Sequence, residues 1–102
     1  MDLNPVRGHE QAGVRPGLVI SVDPFNHGPA GLVVLLPLTT VAKGIPLHVE
    51  VNPPEGGVRT TSFVKCEDIR SIAKEWLSKR WGSVSSATIH AIEERLRILL
   101  EL

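Results

Sequence analysis

The chain has 102 residues, 42% hydrophobic and 22% charged, with eleven Lys and Arg balanced by eleven Asp and Glu. That length points to one domain, residues 1–102, able to bury about two thirds of its unfolded surface without disulfides or metal. Zero net charge argues against non-specific coating of nucleic acid or anionic membrane, no apolar run nears the ~18 residues that span a bilayer, and the lone Cys66 excludes an internal disulfide or a CxxC site.

Met1-Asp2-Leu3-Asn4-Pro5 carries neither the basic nor the apolar region of an export signal, so a cytoplasmic location without membrane contact is expected. Gly8 to Pro16 then gathers His9, Glu10, Gln11 and Arg15 into a glycine-bounded polar stretch that reads as a loop. The first strand is expected at Gly17–Ser21. The second, Leu32–Leu38, is continuously apolar and predicts burial on both faces. Leu47–Val51 alternates as a half-buried strand does, and Thr60–Lys65 follows the turn-like Pro53-Pro-Glu-Gly-Gly57. Short strands at such spacing suggest a small barrel or sandwich.

Two helical patterns follow. Ile69, Ile72, Ala73, Trp76 and Leu77 fit a helix over 67–79 by periodicity alone. From Ser85 or Ser86, either of which can cap, a longer helix carries Ile89, Ile92, Leu96, Leu99 and Leu100 on one broad stripe. That stripe is expected to pack on the strands and, being broad, on a second subunit as well.

Several kinds of chemistry are missing from the sequence. There is no phosphate loop and no dinucleotide-binding glycine pattern. His9-Glu10 starts like HExxH, but Gly13 stands where the second histidine belongs. His9, His27, His48 and His90 lack ligand spacing, so neither metal nor cofactor is expected. Cys66 has no nucleophile signature. The polar residues at expected strand ends, Arg15, Thr39, Thr40, Lys65 and Glu67, would supply cations, hydroxyls and a carboxylate if those ends converge. Phosphodiester cleavage by a neighbouring 2′-hydroxyl needs such a set.

The order of these pieces closely resembles one family. Asp2 to Ser21 is similar to the opening motif of the MazF/PemK/Kid toxin endoribonucleases. Pro37-Leu-Thr-Thr40 with Lys43-Gly44 and Pro46 resembles their second motif, and Val58 to Ile72 their third, particularly in the Kid/PemK branch. The resemblance covers nearly the whole chain. It implies a mainly β fold, an SH3-like or CcdB-PemK-like antiparallel β-barrel with a C-terminal α-helix. It also implies a homodimer that cleaves single-stranded RNA without metal, leaving 2′,3′-cyclic phosphate and 5′-hydroxyl ends, and a cognate antitoxin that occludes the groove. Under it, residues 66–72 should be extended, with at most a short turn at 73–77. Family members usually open with a strand ahead of Asp2-Leu-Asn-Pro5, which here falls at Met1. Lys65 and Glu67 stand where the Kid-like motif carries Arg and Asp.

The resemblance assigns roles residue by residue. Arg15 clamps the phosphate, since a guanidinium is a poor general base; its structural alternative is an ion pair with Glu10. Thr39 donates to the phosphoryl oxygens, while Thr40 serves the backbone. His9 shuttles protons or is an exposed histidine. Glu67 is the carboxylate for the 2′-hydroxyl or an exposed strand-end charge. RNA contacts are expected from Glu10, Gln11, Thr40, Lys43, Thr61, Phe63 and Lys65. Trp76 and Trp81 offer stacking surfaces, with core or dimer packing the expected use. Two other readings share the architecture: a non-catalytic gyrase poison of the CcdB kind, and an inactive antitoxin-binding relative. Arg15, Thr39 and Gly8-His-Glu-Gln11 favour the nuclease.

Overall fold

The computed structural model describes residues 5–10 and 14–102, without the side chains of 8–10 and 14. Seven strands form one antiparallel sheet: β1 (Pro5–Glu10), β2 (Val14–Val19), β3 (Leu32–Thr39), β4 (His48–Val51), β5 (Ser62–Lys65), β6 (Arg70–Ala73) and β7 (Leu77–Ser83). Helical turns lie at α1 (Asp23–Asn26), Glu55–Gly57 and Lys74–Trp76, and the long helix α2 runs Ser86–Leu100. The strand order is β4-β5-β3-β2-β1-β7, with β6 also on β3. The fold is therefore mainly β with one C-terminal helix, as expected, but the sheet does not close: among the described residues β4 and β7 end its main path, and β6 pairs with β3 alone.

β3 organises the sheet. Its residues Leu32–Leu35 pair with β6 and Leu38–Thr39 with β5, on the same edge, while β2 takes the other edge. Pro37 cannot donate to a ladder. It falls where β3 changes partner from β6 to β5, and on its other side it meets Gly17. The continuous apolarity of this strand has the expected consequence. Leu36 and Leu38 join Val6, Leu18, Val64 and Ile92 of α2 in one core cluster, and Val33 and Leu35 join Val19 and Ile72 in a second on the opposite face.

The ambiguous 67–79 stretch is extended through β6, with one turn at Lys74–Trp76. Pairing with β3 overrides its helical period. Two strands depart from the sequence reading. Residues 5–10 and 14–16 are strand rather than loop, and β7 shows no alternation at all. Both are held by pairing: β1 lies between β2 and β7, so its polar residues gain a ladder on each side. On β7, Lys79 and Arg80 are exposed, the charged guard an edge strand uses against further pairing.

Ser85 caps α2, its Oγ accepting from Thr88 N at 3.2 Å. Ile92 is buried and Ile89 and Leu96 partly so, but the stripe is only half used: Leu99 and Leu100 are exposed, with Ile98 and Leu102 beside them. A carboxylate from the distant Glu55–Gly57 turn completes the cap. Glu55 Oε2 accepts from Ser85 N at 2.9 Å, from Ser85 Oγ at 3.1 Å and from the Thr88 hydroxyl. Negative charge there also meets the positive end of the helix dipole.

Partial burial pushes the Glu55 carboxyl upward, but the hydrogen bonds from Thr88 and Ser85 outweigh it and hold the group below its ordinary value. A lowered folded value stabilises the fold above the unfolded pKa, and that stabilisation fades as pH falls through the folded one. Glu55→Gln should therefore cost about 1–2 kcal/mol at pH 7. Urea unfolding should show the difference from wild type shrinking once the carboxylates are protonated. Equal losses at neutral and acid pH would show that the charge is not what matters.

Candidate functional site

Antiparallel partners directly opposite one another share a face of the sheet. Thr39 on β3 is opposite Phe63 on β5, which is opposite Glu50 on β4. The β2–β3 register, Gly17 with Pro37, continued two residues past its last pair sets Arg15 in line with Thr39. The backbone of His9 lies opposite Arg15 on the other side. One row thus crosses the sheet through positions 9, 15, 39, 63 and 50. Two residues along β5, Lys65 presents to the same face, opposite His48.

Arg15 is exposed, and its guanidinium makes no hydrogen bond or ion pair with another described residue. Thr39 is half-buried. Its Oγ1 accepts from Val41 N at 3.2 Å, which fixes the hydroxyl and leaves its proton to donate outward. Thr39, not Thr40, thus makes the local backbone bond. The two functions are compatible, because a hydroxyl accepts and donates at once. Thr61 donates to Asn52 Oδ1 at 2.8 Å, and Asn52 in turn donates to Glu50 Oε2 at 2.9 Å, tying the β4 end of the row together.

Lys65 and Glu67 are already engaged. Lys65 Nζ lies 3.4 Å from Asp68, which also holds Arg70 at 2.8 Å. The Arg70 hydrogen bond is the main reason the Asp68 carboxyl sits low. Glu67 Oε2 is 3.0 Å from Nε2 of the buried His48. Burial raises the Glu67 carboxyl, but the His48 bond, with Lys65 nearby, outweighs it and keeps the group ionised. Glu67 lies in the turn that follows β5, and its partner His48 stands two residues along β4 from Glu50 of the row. Cys66 between them is buried, and its thiol is pushed up to about 11 by that burial, so it is no nucleophile.

On the other side of the row a groove of about 560 Å³ opens between the 57–62 segment and β7. Pro16 and Thr40, the neighbours of Arg15 and Thr39, lie in its wall. The described lining carries Arg59, Lys79 and Arg80 and no carboxylate, with Trp81 as its aromatic surface. The Lys79 and Arg80 contribution was missed in the sequence because β7 was not legible as a strand. The signal present was a basic pair beside Trp81. Trp76 and Trp81 are 44% and 37% exposed, so neither belongs to the core of the single chain. Gly57 makes this groove wall possible: at φ 75° it lies so close to β7 that an added Cβ would sit 2.2 Å from the Trp81 carbonyl oxygen.

Lys43 is exposed in the connection from β3 to β4, apart from both the row and the groove lining. Gln11 and the side chains of His9 and Glu10 lie outside the described residues. No three His, Cys, Asp or Glu side chains cluster as a metal site among the described residues, and no described helix is long and apolar enough to cross a membrane.

The family model described as PemK-like, MazF-like toxin of type II toxin-antitoxin system matches residues 1–100. The chain is 34% identical to endoribonuclease MazF9 of Mycobacterium tuberculosis over 107 residues, covering 100% of this chain and 91% of that protein. It is also 34% identical to endoribonuclease EndoA of Bacillus subtilis over 102 residues, covering 99% and 88%. Among solved structures, an endoribonuclease in complex with its cognate antitoxin from a mycobacterial species superposes with a TM-score of 0.85 at 27% identity, covering 100% of this chain and 96% of that one.

Proposed function

This chain belongs to the PemK-like, MazF-like toxins of type II toxin–antitoxin systems, and from that premise we propose that it is an endoribonuclease that cuts single-stranded RNA without a metal ion. The observation that carries the reading is the row that aligns Arg15 with Thr39 on an open sheet face. The names of its relatives, endoribonucleases both, support it.

In this reading the 2′-hydroxyl attacks the adjacent phosphorus, forming the 2′-O–P bond as the P–O5′ bond breaks. One proton leaves the 2′-oxygen and one arrives at O5′. Arg15 stays charged and binds the non-bridging oxygens, where negative charge grows in the transition state. The Thr39 hydroxyl, its lone pair already turned to Val41 N, donates to the same oxygens. His9, whose backbone lies opposite Arg15 in the β1–β2 register, is the proton-transfer group. Phe63 offers a ring to a flanking base. The basic groove with Trp81 extends the path of the strand.

The partners follow from the same premise. A cognate antitoxin occludes this face, a reading supported by the similar mycobacterial endoribonuclease, itself solved in complex with its cognate antitoxin. A second copy of the chain covers Ile98, Leu99, Leu100 and Leu102, an exposed apolar end that a lone subunit leaves in water.

Incubation with a long unstructured RNA in excess EDTA is the test. Cleavage at a short motif, with cyclic phosphate on the 3′ ends, is the expected result. Strict dependence on added Mg²⁺ would overturn the mechanism, and an intact RNA under all conditions would leave the non-catalytic gyrase-poison reading in its place.

A further inference from the structure

A second cleft lies on the same sheet face as Arg15. The β1–β2 register pairs Arg7 with Gly17, two residues along from His9 with Arg15, so Arg7 is about 7 Å along the strand from the phosphate row. Arg7 lines a cavity of about 290 Å³ together with Lys74, His27 and Asp23, over a floor that includes Val19 and Val33. Those two valines belong to the second core cluster and are fixed from below. At ~30 Å³ per water, the space holds roughly ten waters, the size of one nucleotide rather than several.

The charges in this cleft are unbalanced. Arg7 is partly buried, with Nη2 donating to Ser78 O at 3.1 Å and Nε buried without any partner. Lys74 Nζ lies 3.3 Å from His27 Nδ1. Neither cation forms an ion pair with a described residue. A guanidinium with a buried, unpartnered Nε and no counter-ion among the described residues, beside a lysine likewise without one, is a site prepared for an anion.

We infer that this cleft is a nucleotide subsite, holding the nucleotide next to the one that is cut, with its phosphate on Arg7 and Lys74. The inference rests on the ribonuclease reading and adds a contact that the Arg15–Thr39 row lacks. Asp23 at the rim accepts from an exocyclic amino group, so the subsite favours a base that carries one over uracil.

Fluorescence anisotropy with uncleavable single-stranded oligonucleotides, 2′-deoxy at the mapped cut site and lengthened one nucleotide at a time on each side, tests this. One added nucleotide on one side should tighten binding to wild type about ten-fold, or 1.4 kcal/mol. Arg7→Gln and Lys74→Gln should each remove most of that gain, whereas Arg15→Ala should keep it. Lys74 is exposed on a short turn, so its variant reports even if Arg7→Gln fails to fold. An equal gain in wild type and Lys74→Gln overturns the subsite. Cleavage of the all-ribo version by wild type is scored separately. A length-dependent gain without cleavage overturns the ribonuclease reading alone, and cleavage without the gain overturns the subsite alone.

Discussion

Arg15→Ala should lower RNA cleavage by roughly 10²–10³, and Thr39→Ala by a similar factor, with circular dichroism and melting temperature close to wild type. Each removes a donor aimed at charge that develops only in the transition state. Neither removes buried apolar surface: Arg15 is exposed and Thr39 half-buried. Thr39→Ser should restore much of the rate, because it keeps the oxygen that accepts from Val41 N and the proton that faces outward. Glu67→Gln makes the contrast. Its partner His48 stands two residues along β4 from Glu50 of the row, about 7 Å away, and proton transfer needs contact or one bridging water. Its carboxylate is also committed to His48 at 3.0 Å. The Glu67 variant should therefore lose less than about ten-fold in rate, and His9→Gln considerably more. Steady-state cleavage of one short substrate by all the variants decides the matter. A Glu67→Gln loss as large as that of Arg15→Ala would move the base to Glu67. An unfolded Arg15→Ala would make that residue structural.

The second large effect is on stability. Gly57→Ala puts a side chain at φ 75°, where an L-residue is strained by about 1–2 kcal/mol. The new Cβ would also lie 2.2 Å from the Trp81 carbonyl, a backbone atom in a paired strand that has no rotamer with which to yield. Overpacking of this kind adds about 1–3 kcal/mol. The expected total is on the order of 3 kcal/mol, which at about 4–8 °C per kcal/mol for a domain of this size lowers the melting temperature by more than roughly 10 °C. Since Gly57 and Val58 wall the basic groove, binding of long RNA should weaken with it. A melting temperature unchanged within about 2 °C would mean that the turn can move off β7 at little cost.

What could be read from the residues follows a physical divide. Leu32–Leu38, Leu47–Val51 and the Ile89–Leu96 stripe were legible because their burial pattern is imposed by their own side chains. β1 and β7 were not: Arg7, Gly8, Lys79 and Arg80 are strand residues only because partner strands supply the hydrogen bonds, and the β1–β7 pairing joins segments remote in sequence. The site divides in the same way. Arg15, Thr39 and Phe63 were legible as motif residues, but their alignment in one row is a property of register. The engagement of Glu67 with His48 is equally invisible in the sequence, since it depends on the pairing of Lys65 with His48. The basic groove required knowing that Lys79 and Trp81 return beside Arg59.

The place of β1 in the sheet has a consequence during synthesis. Pro5 pairs with Ser83, so one whole side of the strand that carries His9 waits for nearly the last strand to emerge. At ribosomal speeds of about 5–20 residues per second, that wait lasts several seconds, far longer than a hairpin takes to form. A growing chain has Arg15 and Thr39 early, but the β1–β2 hairpin that sets His9 opposite Arg15 has an open outer edge until β7 arrives. Pairings this distant in sequence also belong to the slow end of folding, because loop closure precedes the contacts that reward it. A nuclease built in this order reaches its finished working face only after β7 has emerged.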